Sequence, residues 1–355
     1  MTAVDRLERK AYFVSDSYHQ LIQTALEHYK IGCAKPIVST PETEGKSLLQ
    51  LVNNELITRM DSRLSATEML ILNHTNQSRS QALQAARQKD LAKAEQLMEK
   101  VRNTWCLDRL SAEGHLLYKS FQEAAEAYLK YCNNDFDGAW SNLSEAIKTD
   151  ETLEAEYGYT IMFAHRLHLV QNLVRSEARG QKTESAIKLA SQLLSYLQGN
   201  SVNLPFPVVW DTKMLANLPV EIIAITFALV TNEIAVTLAN KKRHTTCKFL
   251  AIIEKYIPLE EEDSCNLYPP SLTWLRIKQA LSSSNIETFL ELASQFLLAG
   301  RGKAPLLWYA TVIDLLEVCD EFHFPGTDLV KSEAISQAAD WKYFPKHFLP
   351  LLEGK

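Results

Sequence analysis

The feature that most constrains the fold is a long proline-free stretch, which runs from Glu42 to Leu204. Proline interrupts a helix because it lacks the N–H donor and clashes with the preceding turn. The few glycines in this stretch lie near predicted turns, as expected for antiparallel helices joined by short loops. Only 11 Gly and 12 Pro occur in 355 residues, and Leu, Ala, Glu, Gln and Lys are abundant. The sequence therefore predicts an all-α fold.

Residues 131–150 indicate how these helices pack. The turn Asn133-Asn134-Asp135 precedes an apolar stripe with the spacing i, i+4, i+7 and i+8, formed by Ala139, Leu143, Ala146 and Ile147. Together with Phe136 and Asp150, this segment resembles a tetratricopeptide repeat. The pattern departs from that family at three positions: Glu126 and Lys130 replace large apolar residues, and Glu151 replaces the closing proline. The resemblance implies a tetratricopeptide-like array of antiparallel helical hairpins.

Two further segments repeat the apolar pattern, at 89–101 and 181–194, and their alanines are spaced by about 45 and 47 residues. The usual tetratricopeptide period is about 34 residues. Two interpretations therefore stay open, an irregular array with long first helices or a generic helical bundle. Between the packing helices we expect longer partners at 75–87, 111–132 and 152–179. Ser111 is expected to cap the second of these, and Thr149 or Asp150 the third.

The positions of proline and glycine predict three sections. Residues 1–46 are expected to form a first helix closed by Gly32 and a loop over 33–46. Residues 47–199 are expected to form the array, and residues 200–355 a C-terminal helical section packed on it. Four breakers at Gly199, Pro205, Pro207 and Pro219 mark the second boundary. The apolar PFPVVW there favours a segment packed on the core over a free linker. Helices are predicted at 220–239, 245–257, 271–282, 285–299 and 304–320. The aromatic residues 341–355 are expected to fold back as a cap, or else to form an exposed tail for a partner.

Charge and cysteine content narrow the classes of function. A net charge of −6 and a pI near 5.9 argue against a nucleic-acid binder. Glu221 and Glu233 interrupt the apolar stretch 214–240, which favours a buried helix over a membrane span. The six cysteines are scattered, Cys265 among them, and form no CxxC pair, which indicates reduced thiols and a cytoplasmic protein. The acidic run 260–263 is interpreted as a solvated loop.

The candidate site is a polar stripe on the predicted helix 152–179, which is apolar elsewhere. Its members follow the spacing i, i+3, i+7, i+10 and i+14 and are His165, His168, Asn172, Arg175 and Arg179. The stripe is either a cationic lining for an acidic peptide or anionic ligand, or the solvated side of the helix. The two histidines have no third ligand at a suitable spacing, so no metal is expected.

Tyrosines cluster around the same region, at Tyr118, Tyr128, Tyr131, Tyr157 and Tyr159. Tyr128 and Tyr131 are candidates for the wall of a groove, where tyrosine is a favoured contact residue, although packing is an alternative role. Asn73-His-Thr75 and Asn76-Gln-Ser78 match the glycosylation sequon and are interpreted as chance matches.

Motifs for a catalytic nucleophile, a phosphate-binding loop or a dinucleotide cofactor do not occur, so no cofactor is expected. The resemblance implies a non-catalytic adaptor or regulatory module that binds a protein or peptide in a groove. The alternative is an all-α enzyme or small-molecule binder, with a pocket between the two helical sections that encloses His165 and His168. A homo-oligomer built through the aromatic tail is a third hypothesis.

Overall fold

The computed structural model describes residues 3–104, 106–259, 267–342 and 344–354, with side chains from Tyr18 onward except at 47–49 and 51. The acidic run 260–263 and Cys265 lie outside the described residues. The fold is all-α, as predicted, and no β-strand occurs in the described ranges. The helices are α1 (Ala3–Cys33), α2 (Pro41–Asp61), α3 (Ala66–Arg87), α4 (Leu91–Arg102), α5 (Ala112–Cys132), α6 (Phe136–Tyr157), α7 (Met162–Arg179), α8 (Thr183–Leu197), α9 (Val220–Leu238), α10 (Arg243–Glu254), α11 (Pro269–Ser282), α12 (Ile286–Ala299), α13 (Pro305–Glu321), α14 (Thr327–Ala339) and α15 (Leu349–Leu352).

The chain divides into two compact units, residues 45–230 and residues 1–44 together with 231–355. The first unit contains three successive helical hairpins, α3–α4, α5–α6 and α7–α8. The sections drawn from the sequence, with boundaries at 46 and 199, stay a prediction.

One turn geometry recurs in the three hairpins. The middle residue of each turn has a positive φ: 66° at Lys89, 62° at Asn134 and 63° at Gln181. The N–H of the next residue donates to the carbonyl five positions back, at 2.9–3.0 Å. This bond satisfies a carbonyl at the helix end that otherwise lacks a partner. Ser284, between α11 and α12, has the same geometry with φ 59°, so the turn also occurs in the second unit, where it was not predicted.

Alanine packing holds the hairpins of the first unit together. Ala94, Ala139 and Ala186 occupy equivalent positions in α4, α6 and α8, and each is at most 1% exposed. Ala146 is fully buried as well, so the prediction that Ala139 and Ala146 are packing residues is confirmed. A larger side chain at such a position displaces a neighbouring helix, which costs about 1–3 kcal/mol.

The predicted break at Thr149–Asp150 is wrong, because α6 continues to Tyr157 and ends at Gly158 with φ 70°. Helix α7 begins only at Met162. The Thr149 hydroxyl donates to the Glu145 carbonyl at 2.8 Å, and Asp150 is fully buried and accepts side-chain hydrogen bonds. Neither residue caps a helix, because the Thr149 hydroxyl bonds the backbone of its own helix and the Asp150 carboxylate bonds side chains on α5 and α7.

The proline-punctuated segment after α8 packs against its own unit, as the sequence indicated. Phe206 is only 6% exposed, and its ring centroid lies 6.3 Å from that of Trp210. The guanidinium of Arg166 on α7 anchors the segment, since Nη1 donates to the Val209 carbonyl at 3.0 Å. The same guanidinium lies 4.7 Å from the Trp210 ring centroid and pairs with Glu154 on α6 at 2.8 Å.

In the second unit, α1 packs along α12. Gly32 was predicted to close α1, but the helix continues through it to Cys33. The glycine is needed for a close approach, because a Cβ there would lie 1.8 Å from the Leu297 carbonyl oxygen. The predicted loop 33–46 is shorter than expected, since α2 already begins at Pro41. Proline is well suited to the first turn of a helix, where its missing N–H has no intrahelical acceptor.

Helix α13 is the buried centre of the second unit, and the aromatic tail packs on it. The ring of Trp341 stacks on Tyr309 with centroids 5.9 Å apart, and the ring of Phe344 meets Tyr309 edge-on at 5.1 Å. Phe348 is fully buried. These described residues of the tail therefore form a cap, as expected, rather than an exposed aromatic segment.

In the described ranges one helix, α9, is long and apolar enough to cross a membrane by length and composition alone, with a mean hydropathy of 1.7. Within the structure 72% of that apolar window is buried, as in the core helix of a globular protein.

Candidate functional site

The predicted polar stripe lies on α7, and its members differ in exposure. His165, His168, Asn172 and Arg175 are half-buried, whereas Arg179 is exposed. The residues between them, such as Leu167, Val170 and Leu173, are fully buried. Most of the stripe therefore borders the packed interface between α7 and neighbouring helices.

His165 belongs to a hydrogen-bonded group with α5 and α6. Its Nδ1 lies 2.9 Å from Asp150 Oδ2, and Ser120 Oγ donates to Asp150 Oδ1 at 2.5 Å. Asp150 and Ser120 are fully buried. Ser120 Oγ also lies 3.5 Å from His165 Nδ1, but its hydroxyl makes the shorter bond to the carboxylate. The three side chains thus supply hydrogen-bond partners to one another and connect α5, α6 and α7.

His168 is held as the neutral imidazole. Burial, together with the charges of His165 and Arg175, lowers its pKa to about 4. Asn172 Nδ2 lies 3.1 Å from His168 Nε2, so the amide donates to this nitrogen and the ring proton lies on Nδ1. The two histidines thus have different partners, and among the described residues no three His, Cys, Asp or Glu side chains come together as metal ligands.

Four predicted residues come together at a small cleft between α5 and α7. Tyr128 and Tyr131 meet Asn172 and Arg175 there, around a volume of about 40 Å³. The space exists because alanines line it: Ala124, Ala127 and Ala139. The two tyrosine rings lie 6.2 Å apart, and the guanidinium of Arg87 lies 5.8 Å from the Tyr128 ring centroid. His165, His168 and Arg179 do not line this cleft.

A second cavity, of about 340 Å³, lies between α2, α3 and α5, and its residues were not predicted as a site. Its polar lining consists of Asn53, Asn73, Asn76, Arg79 and Ser80, and its apolar lining of Leu56, Ile57, Met60, Leu72, Leu117 and Phe121. Both cavities use one face of α5, because Leu117, Phe121, Ala124, Tyr128 and Tyr131 follow one another at intervals of three and four residues. Asn73, Asn76 and Ser80 lie on one face of α3 at helical spacing, and this spacing is the sequence pattern that indicates the cavity.

A third cavity, of about 280 Å³, lies between α6, α7 and the segment 209–217. Glu154 and Arg166 line it, together with Val209 and Met214. Burial raises the pKa of Glu154, and the charge of Arg166 opposes that rise. The alternative hypothesis placed His165 and His168 in a pocket of this kind, but neither histidine lines it.

The described residues thus form an all-α fold in which three successive helical hairpins carry small cavities beside α5 and α7. Comparisons of the chain with protein-family models, with curated proteins and with solved structures find no match.

Proposed function

We propose that this protein is a non-catalytic adaptor or regulatory module that binds a protein or peptide on the face of α5 and α7. The hairpins with their alanine packing and the resemblance of residues 131–150 to a tetratricopeptide repeat support this proposal. Arrays of that family usually serve as interaction scaffolds, so the fold alone is an argument by analogy.

The cleft between Tyr128, Tyr131, Asn172 and Arg175 is the observation that carries the proposal. It combines two tyrosines and an arginine, which are residue types enriched at the centres of protein interfaces, with the amide of Asn172. A volume of about 40 Å³ is far below that of a ligand pocket, so the cleft suits one side chain of a larger partner. Arg175, with Arg87 at Tyr128, favours an acidic side chain there.

Peptide selection tests this proposal without a known partner. A displayed random-peptide library is selected on the purified full-length protein, and the affinities of enriched peptides are measured by fluorescence anisotropy. The double variant N172A/R175A should bind at least about ten-fold more weakly, equivalent to roughly 1.4 kcal/mol. Its helicity should match that of the wild type, and its free energy of unfolding should fall by about 1–3 kcal/mol, because Nε2 of His168 loses the Asn172 donor.

The matched control is N54A/R59A, which removes the same two side-chain types from exposed positions of α2. This variant should bind the peptides like the wild type. Equal affinity of N172A/R175A and the wild type, or the absence of any enriched peptide, would remove the groove from consideration.

A second candidate function is an all-α enzyme or small-molecule binder. The cavity of about 280 Å³ beside Glu154 and Arg166 supports it, because this cavity lies between the predicted array and the segment that follows residue 200. Native mass spectrometry of the protein purified from its own host would reveal a retained small molecule. A spectrum with only the mass of the polypeptide would count against this candidate.

A reducing, cytoplasmic location fits the proposed module. The described cysteines, at positions 33, 106, 132, 247 and 319, form no disulfide. Quantifying free thiols in protein extracted under alkylating conditions tests this location, since blocked thiols would contradict it.

A further inference from the structure

Arg79 on α3 is a buried cation at the wall of the 340 Å³ cavity. Arg79 is only 4% exposed, and its Nη1 donates to the Tyr118 carbonyl at 3.3 Å. The guanidinium lies 5.7 Å from the Tyr118 ring centroid and 5.9 Å from that of Phe121. Within the described ranges no carboxylate forms an ion pair with it.

The other buried cations in the described ranges are paired. Arg166 lies 2.8 Å from Glu154, and Lys278 Nζ lies 2.5 Å from Asp314 Oδ1. Both carboxylates are themselves buried. This is the usual arrangement, because removing a charge from water costs several kcal/mol unless an opposite charge compensates for it. Arg79 has instead a cavity beside it.

The charge on Arg79 persists at neutral pH. Burial lowers the pKa of the guanidinium to about 10, which is still well above 7. A long 3.3 Å bond to a neutral carbonyl and two ring faces compensate a full charge only in part. An anion in the cavity would complete the set of partners.

We propose that this cavity binds a small organic monocarboxylate with an apolar chain, whose carboxylate pairs with Arg79. The guanidinium fork matches a carboxylate in a two-bond geometry. Among the described residues that line the cavity Arg79 is the single cation, and one positive charge balances a carboxylate better than the two charges of a phosphate. Leu56, Met60 and Leu117 offer apolar contacts to the chain. The volume of about 340 Å³ lies at the small end of ligand pockets.

This site is independent of the peptide cleft. The two cavities share helix α5 but no lining residue, since the first uses Leu117 and Phe121 and the second uses Ala124, Tyr128 and Tyr131. Loss of peptide binding in N172A/R175A should therefore leave carboxylate binding unchanged, and the two proposals can fail separately.

The test is calorimetric titration of the full-length protein with hexanoate, with hexanamide as the neutral analogue of the same length. Acetate tests the carboxylate without the chain, and inorganic phosphate tests a second kind of anion. Hexanoate should bind with a dissociation constant on the order of 1 mM or tighter. Hexanamide, acetate and phosphate should each bind at least about ten-fold more weakly.

Variants then locate the site. R79Q should lose hexanoate binding, while R59Q, which removes the same charge from an exposed position of α2, should retain it. In case R79Q does not fold, I57W gives a second route, because Ile57 lines the cavity and is 45% exposed, so a larger side chain there can obstruct the cavity without entering the core.

I57W should melt like the wild type and lose hexanoate binding. The proposal is overturned if hexanoate does not bind the wild type, if hexanamide or acetate binds as tightly, or if both R79Q and I57W bind normally. Equal binding of phosphate would also overturn it, by showing a general anion site.

Discussion

Glu68 is the residue whose removal should reveal most about the stability of the first unit. It lies on α3, is 8% exposed, and joins the starts of two helices. Its Oε2 accepts from the backbone N–H of Ser65 at 3.0 Å and from the Ser65 hydroxyl at 2.8 Å, within a capping box. Its Oε1 accepts from the N–H of Ser111, which caps α5, at 2.9 Å.

These hydrogen bonds favour the charged carboxylate. The pKa of Glu68 falls from 4.5 to about 2. The hydrogen bonds from Ser111 are the largest cause, those from Ser65 add to them, and burial opposes the shift. Because one pH unit corresponds to about 1.4 kcal/mol, the ionised side chain contributes roughly 3 kcal/mol to the free energy of unfolding. This contribution is complete above pH 4.5 and is lost as the pH falls toward 2.

The variant E68Q keeps the shape but replaces one acceptor oxygen with an NH2 group that cannot accept. We expect a loss of about 2–3 kcal/mol at pH 7, measured by urea denaturation with circular dichroism at 222 nm. Near pH 2.5 the difference in free energy of unfolding between the wild type and E68Q should shrink to less than about 1 kcal/mol. At that pH the lowered pKa of the folded state stabilises the wild type only slightly.

E99Q is the control, since Glu99 is an exposed glutamate on the neighbouring helix α4. Its effect should stay within about 0.5 kcal/mol at pH 7. A loss in E68Q that is equal at pH 7 and pH 2.5 would refute the reasoning, because it would assign the effect to packing rather than to the charge.

Three further outcomes follow from the buried polar groups. K278M should lower the free energy of unfolding by about 3–5 kcal/mol, because it leaves Asp314 buried without its cation, and K278M/D314L should recover most of that loss. A double-mutant cycle in urea measures both effects, and equal stabilities of the single and double variants would contradict this expectation. R166M should lose a similar amount and expose the segment 200–219 to protease, and unchanged cleavage there would show that the segment is held by other contacts. His168 should keep the Nδ1–H tautomer from pH 8 to pH 5 in long-range ¹H–¹⁵N spectra, whereas protonation within that range would contradict its pKa of about 4.

The helices and their caps could be predicted because their signals are local. The apolar stripe with Ala139 and Ala146 gave the packing face of α6, and Ser111 caps α5 by accepting from the Gly114 N–H at 3.1 Å, as expected. Gly32 and Asp150 were misjudged because their roles depend on distant partners. Gly32 meets a carbonyl on α12, and Asp150 bonds side chains on α5 and α7. No pattern in the neighbouring sequence carries this information.

The site was predictable in part for the same reason. Helical spacing placed Asn172 and Arg175 on one side of α7, and the structure brings them to Tyr128 and Tyr131. The same kind of spacing exists on α3, where Asn73, Asn76 and Ser80 follow at i, i+3 and i+7. The burial of Arg79 could not be predicted from α3 alone, since α2 and α5 are what cover it.

The three buried cations of the described ranges show two different roles of buried charge. Arg166 and Lys278 each lie beside a buried carboxylate, so their charges are balanced within the chain and their contribution is to structure. Arg79 lacks such a partner in the described ranges and therefore lowers the stability of the unit that contains it. An unbalanced charge of this kind costs less when a ligand supplies the opposite charge, because binding to the folded state alone stabilises that state. The melting temperature in the presence of hexanoate should therefore rise for the wild type and R59Q but not for R79Q.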